Sequence, residues 1–140
     1  MGLNLSDHFE EGAKLYGEVI SQEQAEAIRQ QINELRSSGA SEERIDQAEF
    51  GIDATWGFMF HRKGLALRDR ALALISADVC THAKGALADH VRLALYAGVT
   101  PAEIREIMFM MILYLGFPQT REANGVINPI LQEYEAATKP

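Results

Sequence analysis

The residues ADHVRLALYAGVTPAEIREI, at positions 88–107, decide the fold because they combine the end of one helix with the start of another. Gly98 suits the left-handed position just after a helix C-terminus. Thr100 provides a capping hydroxyl, Pro101 fits the first helical position, and Glu103 completes a capping box three residues after the cap. The stretch therefore predicts two helices joined by a tight turn.

His90 lies in the first of these helices, where helical spacing aligns it with apolar residues one turn away on either side. These residues are Ala86, Leu87, Leu93 and Ala94. One interpretation is a core or interface histidine whose imidazole is satisfied by a hydrogen bond, for example to a backbone carbonyl. The other is a general acid or base in a dry pocket, since an unperturbed imidazole has a pKa of about 6.5. Spacing alone leaves both interpretations open.

The composition indicates one globular domain with an acidic surface. The chain has 140 residues, 47% of them hydrophobic, and a formal net charge of −7 with a pI near 5.0. An acidic chain disfavours nucleic acid and anionic membranes as partners, because both are negatively charged. We expect no secretory signal at the N-terminus, and the apolar run at 107–117 is too short to cross a bilayer.

A single cysteine, Cys80, excludes an internal disulfide and a CxxC dithiol. A reducing, cytoplasmic location is the simplest expectation. We expect Cys80 to be a small buried hydrophobe rather than a nucleophile. Its spacings to His82 and His90 match no zinc motif, and a fourth ligand is missing. The sequence therefore predicts neither a metal nor an organic cofactor.

Helical patterns run along the whole chain, and no strand alternation is sustained, which predicts an all-α fold. The predicted caps and bends are Ser6, Ser21 with Gln24, Ser41, and a break near Gly51 and Gly57. A turn at 61–67 precedes a helix that starts near Asp69. The last helix is expected over 121–137, with a kink at Pro129.

The chain is predicted to be one domain over residues 1–140. Residues 1–50 are amphipathic and rich in charge, which indicates a helical arm, and the more apolar residues 51–128 indicate a compact core. The end of the last helix occupies 129–140. The helix that begins at Pro101 is apolar almost all round, so we expect it either at the centre of a bundle or covered by another subunit.

The turn HRKG places His61 and Arg62 close in sequence to three aromatic residues, Trp56, Phe58 and Phe60. One interpretation is a solvated basic turn whose aromatic neighbours belong to the core. The other is a carboxylate-binding site in which Arg62 binds an acid group with both guanidinium nitrogens while the aromatic rings exclude water. Phosphate-binding, serine-hydrolase, zinc-protease and calcium-loop motifs are absent from the sequence.

Three pieces of sequence resemble the carboxymuconolactone decarboxylase family, which includes alkylhydroperoxidase D. They are WGFMFHRKGL, the motif H-x-x-x-A-x-x-x-G-V-T-x-x-E-I that starts at His90, and YLGFP at 114–118. The resemblance covers about residues 54–128. It implies a compact all-α bundle of the alkylhydroperoxidase D type that forms a homo-oligomer, typically a trimer or hexamer. It also implies that His90 lines the active site, and it suggests a place in aromatic-compound catabolism.

The sequence departs from the family patterns at several positions. The peroxidase branch has a CxxC pair before its histidine, where this chain has Ala83 and Ala86, and the glutamate of that branch is matched by Ala71 or a neighbour. Dithiol peroxidase chemistry is therefore expected to be absent. Compared with the decarboxylase branch, Phe58 replaces an acidic residue, and no histidine follows YLGFP.

The resemblance and the residues together predict a cofactor-independent decarboxylase acting on a small carboxylated lactone such as γ-carboxymuconolactone, or on a related acid. Arg62 would hold a carboxylate remote from the bond that breaks. His90 would donate to the enolate oxygen or deliver the proton, with His61 or His82 as a second proton-transfer or substrate-binding group. Trp56, Phe58 and Phe60 would form an apolar wall around the substrate. Two alternatives are a proton-transfer isomerase or cyclase on an enolisable substrate, and a non-catalytic oligomer that binds a small ligand.

Overall fold

The computed structural model describes residues 8–139 and contains no strand among them, so the prediction of an all-α fold is confirmed. The α-helices are α1 (Phe9–Val19), α2 (Gln22–Ser37), α3 (Glu42–Phe50), α4 (Leu67–Thr81), α5 (Lys84–Tyr96), α6 (Pro101–Leu115) and α7 (Phe117–Thr138). A π-helix, Gly51–Met59, continues directly from α3. The predicted cap Ser6 lies outside the described residues.

Two compact units divide the chain, Met1–Gly64 and Leu65–Pro140, and the boundary falls in the predicted turn at 61–67. The first unit contains α1, α2, α3 and the π-helix, and the second contains α4 to α7. The separation into an arm at 1–50 and a core at 51–128 remains a prediction.

In the first unit, α1 packs directly on the π-helix through two glycines. A Cβ atom at Gly12 would overlap the backbone oxygen of Ile52 and lie 2.6 Å from the backbone nitrogen of Gly57. A Cβ atom at Gly57 would overlap the backbone oxygen of His8. Backbone atoms cannot move aside as flexible side chains can, so the close approach of these two helices requires glycine at both positions.

Two acidic side chains are buried where α3 becomes the π-helix. Glu49 is 2% exposed and forms an ion pair with Arg36 of α2. Burial raises the pKa of Glu49, and the positive charge of Arg36 opposes that rise. Asp53 is 1% exposed, and its Oδ1 accepts a hydrogen bond from the backbone N–H of His8 at 3.0 Å. The predicted break near Gly51 is present as the change from α-helix to π-helix at that residue.

In the second unit, α6 begins with the predicted capping box. The Thr100 hydroxyl accepts a hydrogen bond from the Glu103 N–H at 3.2 Å, and the Glu103 carboxylate accepts one from the Thr100 N–H at 2.8 Å. This backbone bond, together with hydrogen bonds from Arg68 and the Thr100 hydroxyl, lowers the pKa of Glu103 to about 2. Gly98 adopts a φ of +89°, the left-handed conformation expected after α5.

α7 begins earlier than the sequence predicts, at Phe117 rather than at 121. The sequence interpretation placed Pro118 in a segment after the end of a helix. Pro118 instead lies in the first turn of α7, where a proline forfeits no helical hydrogen bond because the first N–H groups have no partner. Gly116, with a φ of +80°, separates α6 from α7, which continues past Pro129 to Thr138.

One side of α6 is exposed, so the first of the two predicted alternatives, a helix at the centre of the bundle, is wrong, and coverage by another subunit stays a prediction. The inner side of α6 is buried through Ile104, Met108 and Met111. Its outer side, extended into the first residue of α7, carries large apolar side chains that are between 47% and 85% exposed. These are Phe109, Met110, Leu113, Tyr114 and Phe117. Although apolar, neither α6 nor any other helix within residues 8–139 has the length and hydropathy needed to cross a membrane.

Cys80 is exposed near the end of α4, so the expectation of a buried cysteine is wrong. The preceding residue, Val79, is buried. One residue along an α-helix rotates the side chain by about 100°, which moves Cys80 off the buried face that carries Ile75 and Val79.

Candidate active site

His90 lies on α5 with its imidazole mostly buried, the side chain being 12% exposed. Its Nδ1 is 2.6 Å from Oδ2 of Asp78, whose side chain is 10% exposed and belongs to α4. α4 and α5 pack against each other, and the two side chains meet between them. The imidazole among apolar neighbours is therefore satisfied by a carboxylate rather than by the backbone carbonyl offered as an example from the sequence.

The position of Asp78 is fixed by the way α4 ends. His82 adopts the left-handed conformation, with φ 56° and ψ 30°, and its N–H donates to the Asp78 carbonyl oxygen. The Ala83 N–H donates to the same oxygen at 3.0 Å. A helix end closed by these bonds holds the last turn in place, so the Asp78 carboxylate approaches His90 from an ordered backbone.

Sequence reasoning missed Asp78, although a signal for it exists. Helical spacing from the apolar face of α4 places Asp78 one turn after Ile75 and beside Val79, on the side that must be buried. An acidic residue on a buried face needs a partner. The partner available across the following turn is His90, the polar residue on the apolar face of the next helix.

A small pocket lies beside Asp78 and includes His82, which the sequence analysis proposed as a substrate-binding residue. The lining residues are Asp78, Val79, His82, Lys84, Leu87, Gln119, Glu122 and Ala123. Its cavity volume of about 10 Å³ is far below the roughly 300–1,000 Å³ that is usual for ligand sites. The Lys84 ammonium is 2.5 Å from Glu122 Oε1, and His82 Nδ1 is 3.5 Å from Oε2, so the cations here already have an anionic partner.

Asp89 directly precedes His90 in the sequence and provides a second carboxyl group that interacts electrostatically with the imidazole. It is half-buried, and burial raises its pKa; the positive charges of Arg92 and His90 oppose this rise, and the negative charge of Asp78 adds to it. A carboxyl group whose proton is held more firmly than usual is a feature of acid–base sites. Sequence reasoning did not identify Asp89 as a candidate.

The first unit holds the predicted aromatic wall. Trp56 and Phe60 are buried on the π-helix and its C-cap, with ring centroids 5.2 Å apart in an edge-to-face arrangement. Tyr16 of α1 packs edge-to-face on Trp56 at 5.0 Å. Phe58 is half-buried. π-helical turns are rare and occur frequently at functional sites, which makes this segment a candidate for a site as well as part of the core.

His61 and Arg62 are exposed at the end of this segment. His61 Nδ1 donates to the backbone oxygen of Gly57 at 2.6 Å, which directs the ring. The guanidinium carbon of Arg62 lies 5.4 Å from the centre of the Phe58 ring, within the range of a cation–π contact. The structure thus places five of the seven predicted site residues in the first unit and two, His82 and His90, in the second.

A metal site has no support from the geometry. Across residues 8–139, no three His, Cys, Asp or Glu side chains come together in a group that could hold a metal ion.

Comparison with known proteins gives a match of residues 51–128 to the family model described as "Carboxymuconolactone decarboxylase family". The chain belongs to the carboxymuconolactone decarboxylase family. The match agrees with the resemblance seen at 54–128, and it contains all seven predicted site residues as well as Asp78. The family recognised from the sequence is therefore confirmed.

Two curated relatives extend the comparison over most of the chain. A 4-carboxymuconolactone decarboxylase of Acinetobacter baylyi is 21% identical over 131 residues, which are 94% of this family member and 92% of the relative. A nitrosuccinic acid decarboxylase of Metarhizium robertsii is 31% identical over 115 residues, 82% of this chain and 75% of the relative. Both relatives are named as decarboxylases, for two different acids.

Proposed function

We propose that the protein is a decarboxylase that needs no cofactor and acts on a small carboxylated lactone, such as γ-carboxymuconolactone, or on a related acid. Family membership and the two decarboxylase relatives support the reaction class. The observation that carries the proposal is the His90 imidazole, mostly buried and hydrogen-bonded to Asp78, because decarboxylation needs a group that returns a proton to carbon.

In the proposed reaction, the bond between the carboxylate carbon and its neighbour breaks, and CO₂ leaves without the bonding electrons. These electrons enter the conjugated carbonyl and form a dienolate. His90 donates a proton to carbon, and solvent later restores that proton to the imidazole. Each turnover thus consumes one proton and leaves the protein unchanged.

In the first unit, we assign Arg62 to binding a substrate carboxylate remote from the bond that breaks, since a guanidinium pairs with both carboxylate oxygens. The Phe58 ring beside the guanidinium supports it from one side. Trp56 and Phe60 supply apolar surroundings that disfavour a charged ground state relative to the departure of neutral CO₂. His61 in this unit and His82 in the second unit are assigned to a second proton-transfer or substrate-binding role.

Product analysis in D₂O tests the reaction class. Purified protein is incubated with γ-carboxymuconolactone without added cofactor, and the product is identified by mass spectrometry and NMR. We expect a product that has lost CO₂ and gained one deuterium on a carbon of the dienolate. A product that retains every substrate carbon while incorporating deuterium would replace the decarboxylase with an isomerase or cyclase.

We also propose that the exposed apolar side of α6 is covered by further copies of the chain in a trimer or hexamer. An exposed strip of aromatic, Leu and Met side chains resembles the centre of a protein interface, and the Arg105–Glu135 pair, at 2.7 Å, provides charged groups of the kind found at interface rims.

Leu113→Glu is expected to shift the mass measured by light scattering from an oligomer to a monomer. Ala27→Glu, which adds the same charge at an exposed position of α2, should leave the measured mass unchanged. A monomeric wild type would contradict the proposal.

A further inference from the structure

We propose that Asp78 is the positioning residue for His90: it holds the Nδ1 proton and thereby makes Nε2 the nitrogen that exchanges a proton with the substrate. The tautomer is inferred from the contact between His90 and Asp78, with Asp78 as a carboxylate. Its catalytic consequence rests on the proposed function, in which His90 is the proton donor.

The geometry decides which ring nitrogen carries a proton. An ionised carboxylate can only accept hydrogen bonds, so a 2.6 Å contact between Asp78 Oδ2 and His90 Nδ1 requires the hydrogen on Nδ1. The two side chains are 10% and 12% exposed, which leaves little room for water to compete for this bond. In the neutral imidazole, Nε2 is then the nitrogen without a hydrogen.

Backbone hydrogen bonds at the end of α4 hold Asp78 in position. The Asp78 carbonyl accepts hydrogen bonds from the N–H groups of His82 and Ala83, and His82 is the one non-glycine residue with positive φ among residues 8–139. A left-handed conformation at a non-glycine residue carries a cost that the surrounding structure must offset. The end of α4 is thus held in a specific form that sets where the carboxylate lies relative to α5.

The chemical consequence concerns both protonation states of the imidazole. When His90 carries protons on both nitrogens, the Asp78 carboxylate balances the positive charge, and the Nε2 proton is the one that the proposed reaction transfers. Transfer of the Nε2 proton to substrate carbon leaves the Nδ1–H tautomer with the Asp78 bond intact, so no rearrangement is needed. An amide in place of the carboxylate can donate to Nδ1 and thus favour the opposite tautomer, with the hydrogen on Nε2.

Asp78→Asn therefore distinguishes a role of Asp78 in positioning His90 from a purely structural role as a buried hydrogen-bond partner. In the wild-type protein, ¹⁵N NMR of the His90 ring, assigned by its loss in His90→Gln, should show the neutral ring with hydrogen on Nδ1. In Asp78→Asn, the hydrogen should move to Nε2, and kcat should fall by about 10²-fold or more with KM within about 3-fold. Asp78→Glu should keep the Nδ1 hydrogen and recover part of kcat. Asp69→Asn, on the exposed start of α4, is the matched control and should change neither readout.

The outcomes separate failure of this inference from failure of the proposed function. A wild-type ring with hydrogen on Nε2 overturns the inference directly and requires no variant to fold. Full kcat in Asp78→Asn, alongside an inactive His90→Gln, overturns it as well and leaves His90 as the proton donor. If His90→Gln keeps full activity while the wild-type tautomer is as expected, the catalytic role is overturned for both residues and the tautomer assignment stands.

Discussion

Replacement of His90 by glutamine is expected to lower turnover by about 10²- to 10⁴-fold, the usual contribution of a positioned general acid or base. The glutamine amide can donate a hydrogen bond to the Asp78 carboxylate and fills a similar space, so the packing of α4 against α5 should survive. It cannot carry a proton to carbon. We therefore expect kcat to fall while KM changes little, measured as the initial rate of CO₂ release from γ-carboxymuconolactone.

Lys14→Gln, at an exposed position of α1, is the control because Lys14 has no role in the proposed site. The control should retain wild-type turnover. Near-full turnover by a folded His90→Gln protein would remove His90 from the mechanism.

Replacement of Gly12 by alanine is expected to reduce the free energy of unfolding by about 3 kcal/mol, the upper part of the usual range for overpacking. The new methyl group would overlap the Ile52 backbone oxygen and lie 2.6 Å from the Gly57 nitrogen, so α1 and the π-helix must separate. The helical preference of alanine over glycine, about 1 kcal/mol, offsets only part of this cost. Urea titration followed by circular dichroism measures the change.

Gly51→Ala is the matched control, because Gly51 belongs to the same π-helix but its Cβ would point away from the contact with α1. Gly51 opens the π-helix with a φ of −63°, and no atom lies within 4 Å of the position that its Cβ would take. This substitution should leave stability unchanged or raise it by up to about 1 kcal/mol. Equal stability of Gly12→Ala and wild type would show that the two backbones do not approach as closely as the structure indicates.

The helices of the second unit could be predicted largely because their ends are encoded locally. The Thr100–Glu103 capping box and the left-handed Gly98 depend on residues within a few positions of each other, and both are present. The error at Pro118 has the same local origin, since a proline after a glycine fits the end of one helix and the start of the next equally well.

Features set by tertiary contacts escaped the sequence analysis. The Asp78–His90 pair joins residues 12 positions apart on two helices, and its existence depends on how α4 and α5 are rotated against each other. The π-helix lies against α1 at Gly12 and Gly57, a tertiary contact that residue patterns within one helix do not encode. Cys80 was assigned to the interior from its residue type, whereas its rotation on α4 decides its exposure.

The candidate site likewise contains residues that sequence motifs identify and a residue that only the tertiary contacts reveal. Motif resemblance proposes His90 and the segment from Trp56 to Arg62 as site residues, and both lie within the residues that the family model matches. The group that orients His90 required the structure, because a hydrogen-bond partner on another helix leaves only a weak signal in the sequence.

The most direct test of the central claim is the release of CO₂ by the purified wild-type protein, without added cofactor, from γ-carboxymuconolactone. We predict enzyme-dependent release, at a rate proportional to protein concentration and lost in His90→Gln. A folded protein that releases no CO₂ from this lactone above the uncatalysed rate would contradict the proposal that this family member decarboxylates such a substrate.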